Sequence, residues 1–167
     1  MDSASLRGRA VVNVQQAQKM GTVEDVLFDL PENKIGGLVL QGGLFRGGPT
    51  VAWSEVRSVG KDAVMVDATG EGGGVGRDDE GRLTRLNAFR SIKVVTDTGN
   101  LGGNLSGADV DTATGQVNHY IVTTPDGGGL FRPAPTFALP PQSILGVGPD
   151  LLTVDASVIE TSPASEE

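Results

Sequence analysis

The sequence predicts an all-β chain built as two small barrels in tandem. Three observations carry that reading. One nonapeptide is written twice: GGLFRGGPT at 42–50 returns as GGLFRPAPT at 128–136, identical at seven of nine positions. Short runs of β-branched or alternating residues recur between turn formers. No stretch shows the sustained 3.6-residue period of a long amphipathic helix.

The repeat extends well beyond the nonapeptide. VEDVLFDLPENKIGGLVL (23–40) lies against LSGADVDTATGQVNHYIV (105–122) with the same apolar rhythm, and Asp29, Ile35, Leu38 and Leu40 fall on Asp111, Val117, Tyr120 and Val122. Downstream, Gly60, Asp62, Val66 and Asp67 meet Gly148, Asp150, Val154 and Asp155. The offset grows from 82 to 88 residues along the unit, so a few loop insertions separate the copies.

Taken in order, AVVNV (10–14) and SIKVV (91–95) read as strands because they are rich in valine and isoleucine. In VLFDL, Val26, Phe28 and Leu30 alternate with Leu27 and Asp29, the period of a strand. Pro-Glu-Asn-Lys (31–34) and TATGQ (112–116) supply turn chemistry between two strands of each copy. PTVAW and PTFAL are short strands that a proline begins. AVMVD and LLTVD close each copy. One helical turn is expected per copy, because Val56 and Val59 stand three apart, as do Ile144 and Val147. Ser54 is the expected cap of the first turn.

Composition narrows the function classes. The 167 residues include no cysteine, which excludes disulfides and thiolate metal sites. The net charge of −8 divides as −1 over 1–67, −1 over 68–88, −3 over 89–155 and −3 over 156–167. No segment carries the clustered Lys and Arg of a nucleic-acid surface, and an acidic surface disfavours anionic membranes. Apolar runs fall far short of the ~20 residues of a membrane-spanning helix. The start MDSASLRGRAVVNV lacks the pattern of a signal peptide. A soluble cytoplasmic protein is the expectation.

Candidate chemistry is sparse. His119 is the single histidine, and a lone histidine makes neither a His cluster nor a triad without a nucleophile beside it. Asp78, Asp79 and Glu80 lack the spaced carboxylates of a calcium loop and read as a solvated charge run. Asp109 and Asp111 share a strand face beside a turn. The glycines at 127–129 lack the lysine and helix start of a phosphate-binding loop. The GGLFR loops are the best interaction candidates. Leu44, Phe45 and Arg46, with Leu130, Phe131 and Arg132, read first as loop closure: leucine and phenylalanine cover the barrel, and arginine pairs with a carboxylate. Trp53, the single tryptophan, reads as a core residue, or as an interface anchor if half-exposed. The expectation is therefore no catalytic residue, no metal and no cofactor, with those seven residues as the possible interface.

The order of these motifs resembles the PRC-barrel domain. Its carriers are Gly21, Val23, Val26 and Phe28, a turn, Ile35 to Leu40, the strand ending Val51-Ala52-Trp53-Ser54-Glu55-Val56, and the closing Gly60 to Val66. The second copy departs at Pro141 and Gln142, which replace Trp53 and Ser54, and at Thr96-Asp97-Thr98. The resemblance implies two PRC-type β-barrels in tandem: a first repeat at 1–67, a Gly-rich charged linker at 68–88, a second repeat at 89–155 and a disordered acidic tail at 156–167. It implies a protein-interaction or assembly module and brings no shared catalytic residues. Two alternatives follow from relatives of the family: a factor binding a ribosomal protein, as in ribosome maturation, or a subunit associated with a photosynthetic or other membrane complex. The expected partners are proteins, with a homo-oligomer or intramolecular barrel pairing, no direct nucleic acid and no membrane insertion.

Overall fold

The computed structural model describes residues 1–41, 49–67, 82–125 and 135–160. The chain is all-β, with two barrel-like sheets in tandem. The described residues form two compact units: Met1–Leu86 together with Val110–Gln116, and Asn87–Asp109 together with Val117–Glu167.

The first unit opens with a 3-10 turn, Ser3–Leu6, capped by the Asp2 carboxylate, which accepts from Ala4 N–H at 3.0 Å. Strands β1 (Ala10–Asn13), β2 (Gln18–Asp29), β3 (Lys34–Leu40), β4 (Thr50–Ala52), β5 (Val56–Val59) and β6 (Ala63–Val66) follow. Their spatial order is β4-β3-β2-β1-β6-β5. β1 and β6 are parallel, and the other neighbours run antiparallel. The short strand β7 (Thr84–Arg85) pairs with β2 through Leu27 and Phe28. Both faces of β2 are covered over its last five residues, so Asp25 to Asp29 are all buried. Val26, Phe28, Ile35, Leu38 and Leu40 form the centre of the core. Burying each such side chain contributes ~1.5–3 kcal/mol.

The second unit repeats this plan. After the 3-10 turn Leu86–Ser91 come β8 (Lys93–Thr96), β9 (Leu101–Val110), β10 (Val117–Thr123), β11 (Thr136–Leu139), β12 (Ile144–Val147) and β13 (Leu151–Val154). Their order is β11-β10-β9-β8-β13-β12, the first unit's order strand for strand, again with one parallel pair, β8 with β13. Its core holds Phe89 against Tyr120, with ring centroids 6.4 Å apart and planes tilted by 56°. Ile35, Leu38 and Leu40 are buried on β3, as are Val117, Tyr120 and Val122 on β10, but the expected pairing is corrected: Asp29 is buried and Asp111 exposed, and Leu38, opposite Val51, corresponds to Val122, opposite Phe137, two residues further on than the sequence alignment placed it.

The duplication reaches single hydrogen bonds. The Pro49 carbonyl accepts from Leu40 N–H at 2.8 Å, and the Pro135 carbonyl from Thr124 N–H at 2.9 Å. Gly60 donates to the Ala63 carbonyl and Gly148 to that of Leu151, both at 2.8 Å. Buried Asn13 and Thr96 end β1 and β8, and each accepts a backbone N–H of the turn that follows, from Gln15 and from Asn100.

One expectation is corrected. Val56–Val59 and Ile144–Val147 are strands, and the helical turns precede them, at Trp53–Glu55 and Pro141–Ser143. The spacing of three has a different cause. Each strand carries a bulge, at Arg57 and at Leu145, so that Val56 and Val59 both face inward-pointing residues, Val66 and Val64. One extra residue turns a period of two into an interval of three. Ser54 lies inside its turn, and that turn has no side-chain cap bond.

Candidate interaction surfaces

Leu44, Phe45, Arg46, Leu130, Phe131 and Arg132 lie outside the described residues, as do Asp78, Asp79 and Glu80. Trp53 is described. β4 ends at Ala52, and Trp53 opens the 3-10 turn that leads into β5, half-buried. Part of its cover is the turn Asp111–Gln116 of the same unit. Gly115 (φ 80°) stands so close that a Cβ there would run into indole Nε1. That turn is fixed by Gly115 N–H donating to the Asp111 carbonyl at 2.6 Å and Ile35 N–H donating to the Gly115 carbonyl at 2.8 Å. Only glycine tolerates both the positive φ and the approach of the indole.

The carboxylates singled out in the sequence have structural roles. Asp111 accepts from Ala113 N–H at 2.9 Å, an Asx turn, and Asp109 accepts from Asn118 Nδ2 at 2.9 Å. Asp29 accepts from Glu32 N–H at 3.2 Å, with the Arg82 guanidinium 3.8 Å from its other oxygen. His119 is half-buried on β10. Among the described residues, no group of three or more His, Asp or Glu side chains converges as metal ligands would.

Sequence reasoning missed Asp25. Its side chain is wholly buried, 3.3 Å from Arg7 Nη2, and it accepts from Val26 N–H at 2.8 Å. The pair ties the N-terminal turn to β2. The signal was present but weak: Asp25 interrupts an otherwise apolar run, where a charge needs a partner.

A further feature was also missed. Among the described residues, the large apolar side chains most exposed in the second unit are Leu145 (59%), Leu101 (46%), Leu151 (39%) and Val147 (38%). Cross-strand register aligns Gly146, Thr153, Val95 and Leu101 in one row over β12, β13, β8 and β9. Their neighbours Leu152, Val154 and Val94 are buried, so this row lies on the outward face. The same row in the first unit is Ser58, Met65, Val12 and Lys19. The bulge positions differ likewise. Arg57 stands 3.8 Å from Asp67, whereas the residue at the corresponding bulge of β12 is Leu145.

Residues 1–72 match the family model of the PRC-barrel domain. No curated protein matches the chain. The matched span covers β1 to β6 in the order set out above, with Gly21 at the β2 bulge and the closing hairpin of β5 and β6. The first repeat thus lies within a span that matches the PRC-barrel domain.

Proposed function

We propose that the chain is a non-enzymatic protein-interaction module, in which two PRC barrels serve as a scaffold for assembly. The observation that carries this reading is the divergence of two surfaces on one duplicated plan. Strand order, bulges and turn bonds repeat between the units, while the outward row changes from Lys19 and Arg57 to Leu101 and Leu145. The fold does not require leucine at those positions, because the first unit builds the same sheet without it. Exposed leucines gathered on one sheet face and edge mark a contact surface. The conserved architecture supplies rigidity, and the variable face supplies the contact.

Native purification from the host, followed by size-exclusion chromatography and cross-linking, tests the reading. The chain is expected to elute above its own 17.2 kDa with components at constant stoichiometry. Elution as a single free chain with no reproducible cross-link overturns it.

A further inference from the structure

Resting on the interaction-module reading, we infer that the outward leucine face of the second unit is a self-docking surface whose occupant is the same face of a second copy of this chain. The inference starts from charge. The chain carries −8, so two copies repel unless they meet where charge is absent or complementary. Ser143 to Pro149, which includes all of edge strand β12, has no charged residue. The row from Gly146 through Thr153 and Val95 to Leu101 is also uncharged.

The charges that bound this face are arranged for self-pairing. Exposed Lys93 opens β8 two residues before Val95, and exposed Asp97, in the turn just past the end of β8, stands two residues after it, its N–H still donating to the Val154 carbonyl at 2.9 Å. Asp97 is held in place by Ala156 N–H at 3.1 Å, and exposed Asp155 lies next to it in the chain that follows β13. A strand advances ~3.3 Å per residue, so Lys93 and Asp97 lie ~13 Å apart, centred on Val95. A two-fold axis between the faces, perpendicular to β8 and passing over Val95, reverses one copy against the other. Lys93 of each copy then meets Asp97 of its mate, twice over, with the leucines packed between. A closed contact of this kind joins identical patches and stops at the dimer. The first unit cannot do the same, because Ala10 and Val14 take the places of Lys93 and Asp97 and Lys19 faces outward in its row.

Light scattering and sedimentation on the purified full chain test the inference. The wild type is expected at twice the single-chain mass. L101K/L145R, which imports the residues of the first unit at exposed positions, is expected at the single-chain mass with an unchanged circular dichroism spectrum. K93D and D97K supply an independent arm. Each alone places like charges opposite each other and is expected to be monomeric, whereas an equal mixture restores both attractions and is expected to form a mixed dimer. A wild type that remains a single chain up to about 1 mM overturns the inference. So does a dimer that survives L101K/L145R, or a mixture of K93D and D97K that does not pair. A single-chain wild type would overturn this inference and leave co-purification of other components from the host untouched, so the failure of the inference and that of the broader reading are read by separate measurements.

Discussion

Asp25 shows how a single residue can be both costly and organising. A buried carboxylate loses its hydration and recovers part of that loss from Arg7 and Val26 N–H. One oxygen, Oδ2, has no hydrogen-bond partner among the described residues. Arg7→Ala would leave the charge buried beside a weakened partner set. Because Arg7 itself is 36% exposed, the loss should lie between that of a surface pair and that of a fully buried one, about 2 kcal/mol. Urea denaturation followed by circular dichroism measures it, and an unchanged midpoint would remove Asp25 as the anchor of the N-terminal turn. Gly21 and Gly103 offer a paired test, since both sit opposite the first valine of the first strand of their unit, Val11 and Val94, at a bulge. At Gly103 (φ 140°) a Cβ would collide with the Thr123 backbone carbonyl, which cannot move aside. At Gly21 it would meet the Leu40 Cβ at 3.3 Å. Gly103→Ala is therefore expected to cost about 3 kcal/mol or more and Gly21→Ala about 1–2 kcal/mol. Equal costs would show that the close approach at Gly103 is not what selects glycine there.

At the scale of elements, the sequence was legible where one strand face is buried and opaque where the ladder is irregular. β1, β6, β11 and β13 were readable because valine, leucine and phenylalanine alternate with exposed or half-buried neighbours. β5 and β12 were misread as helical turns because a bulge shifts the period, and a bulge is a property of pairing that one strand does not display. β7 was hidden in the Gly-rich charged stretch, since two residues pairing with β2 leave no pattern. The leucine face escaped notice for a related reason: Leu101, Leu145 and Leu151 are scattered in sequence, and only the register of β9, β8, β13 and β12 brings them to one stretch of sheet. The final helical turn, Ser157–Glu160, follows Asp155, whose carboxylate accepts from Ser157 N–H at 2.9 Å. That bond, first to the Ser157 backbone and then to its side chain, holds the Asp155 pKa below its ordinary value. A depressed carboxylate stabilises above its unfolded pKa of about 3.9 and loses that contribution as pH falls through the lower folded value. The turn should thus persist at pH 5 and fray only in acid below about pH 4. The amide shift of Ser157, followed by NMR through a pH titration, reports it; a transition centred above pH 4 would contradict the assignment.

For the whole molecule, the informative fact is where the first unit finds its residues. It takes Met1–Leu86 and also Val110–Gln116, from much later in the chain. The later segment contributes Gly115, whose carbonyl accepts from Ile35 N–H and whose missing side chain admits the Trp53 indole. It also contributes Gln116, bridged to Lys34. A fragment of residues 1–86 would retain the whole strand order of the first sheet and the family-matched span, so it should still fold as a β protein. It would lack the cover over Trp53 and leave the Ile35 N–H without its acceptor. A lost backbone bond of this kind costs about 1–3 kcal/mol when the group stays buried, and less when water reaches it. The fragment should therefore unfold at a lower urea concentration than the first unit within the full chain, and its tryptophan emission should be shifted to the red. Because Trp53 is the single tryptophan, the signal comes from this site alone. An unchanged emission maximum together with an unchanged midpoint would show that the first barrel is complete in its own repeat. In that case Gly115 would be glycine for the sake of its turn and not for the indole.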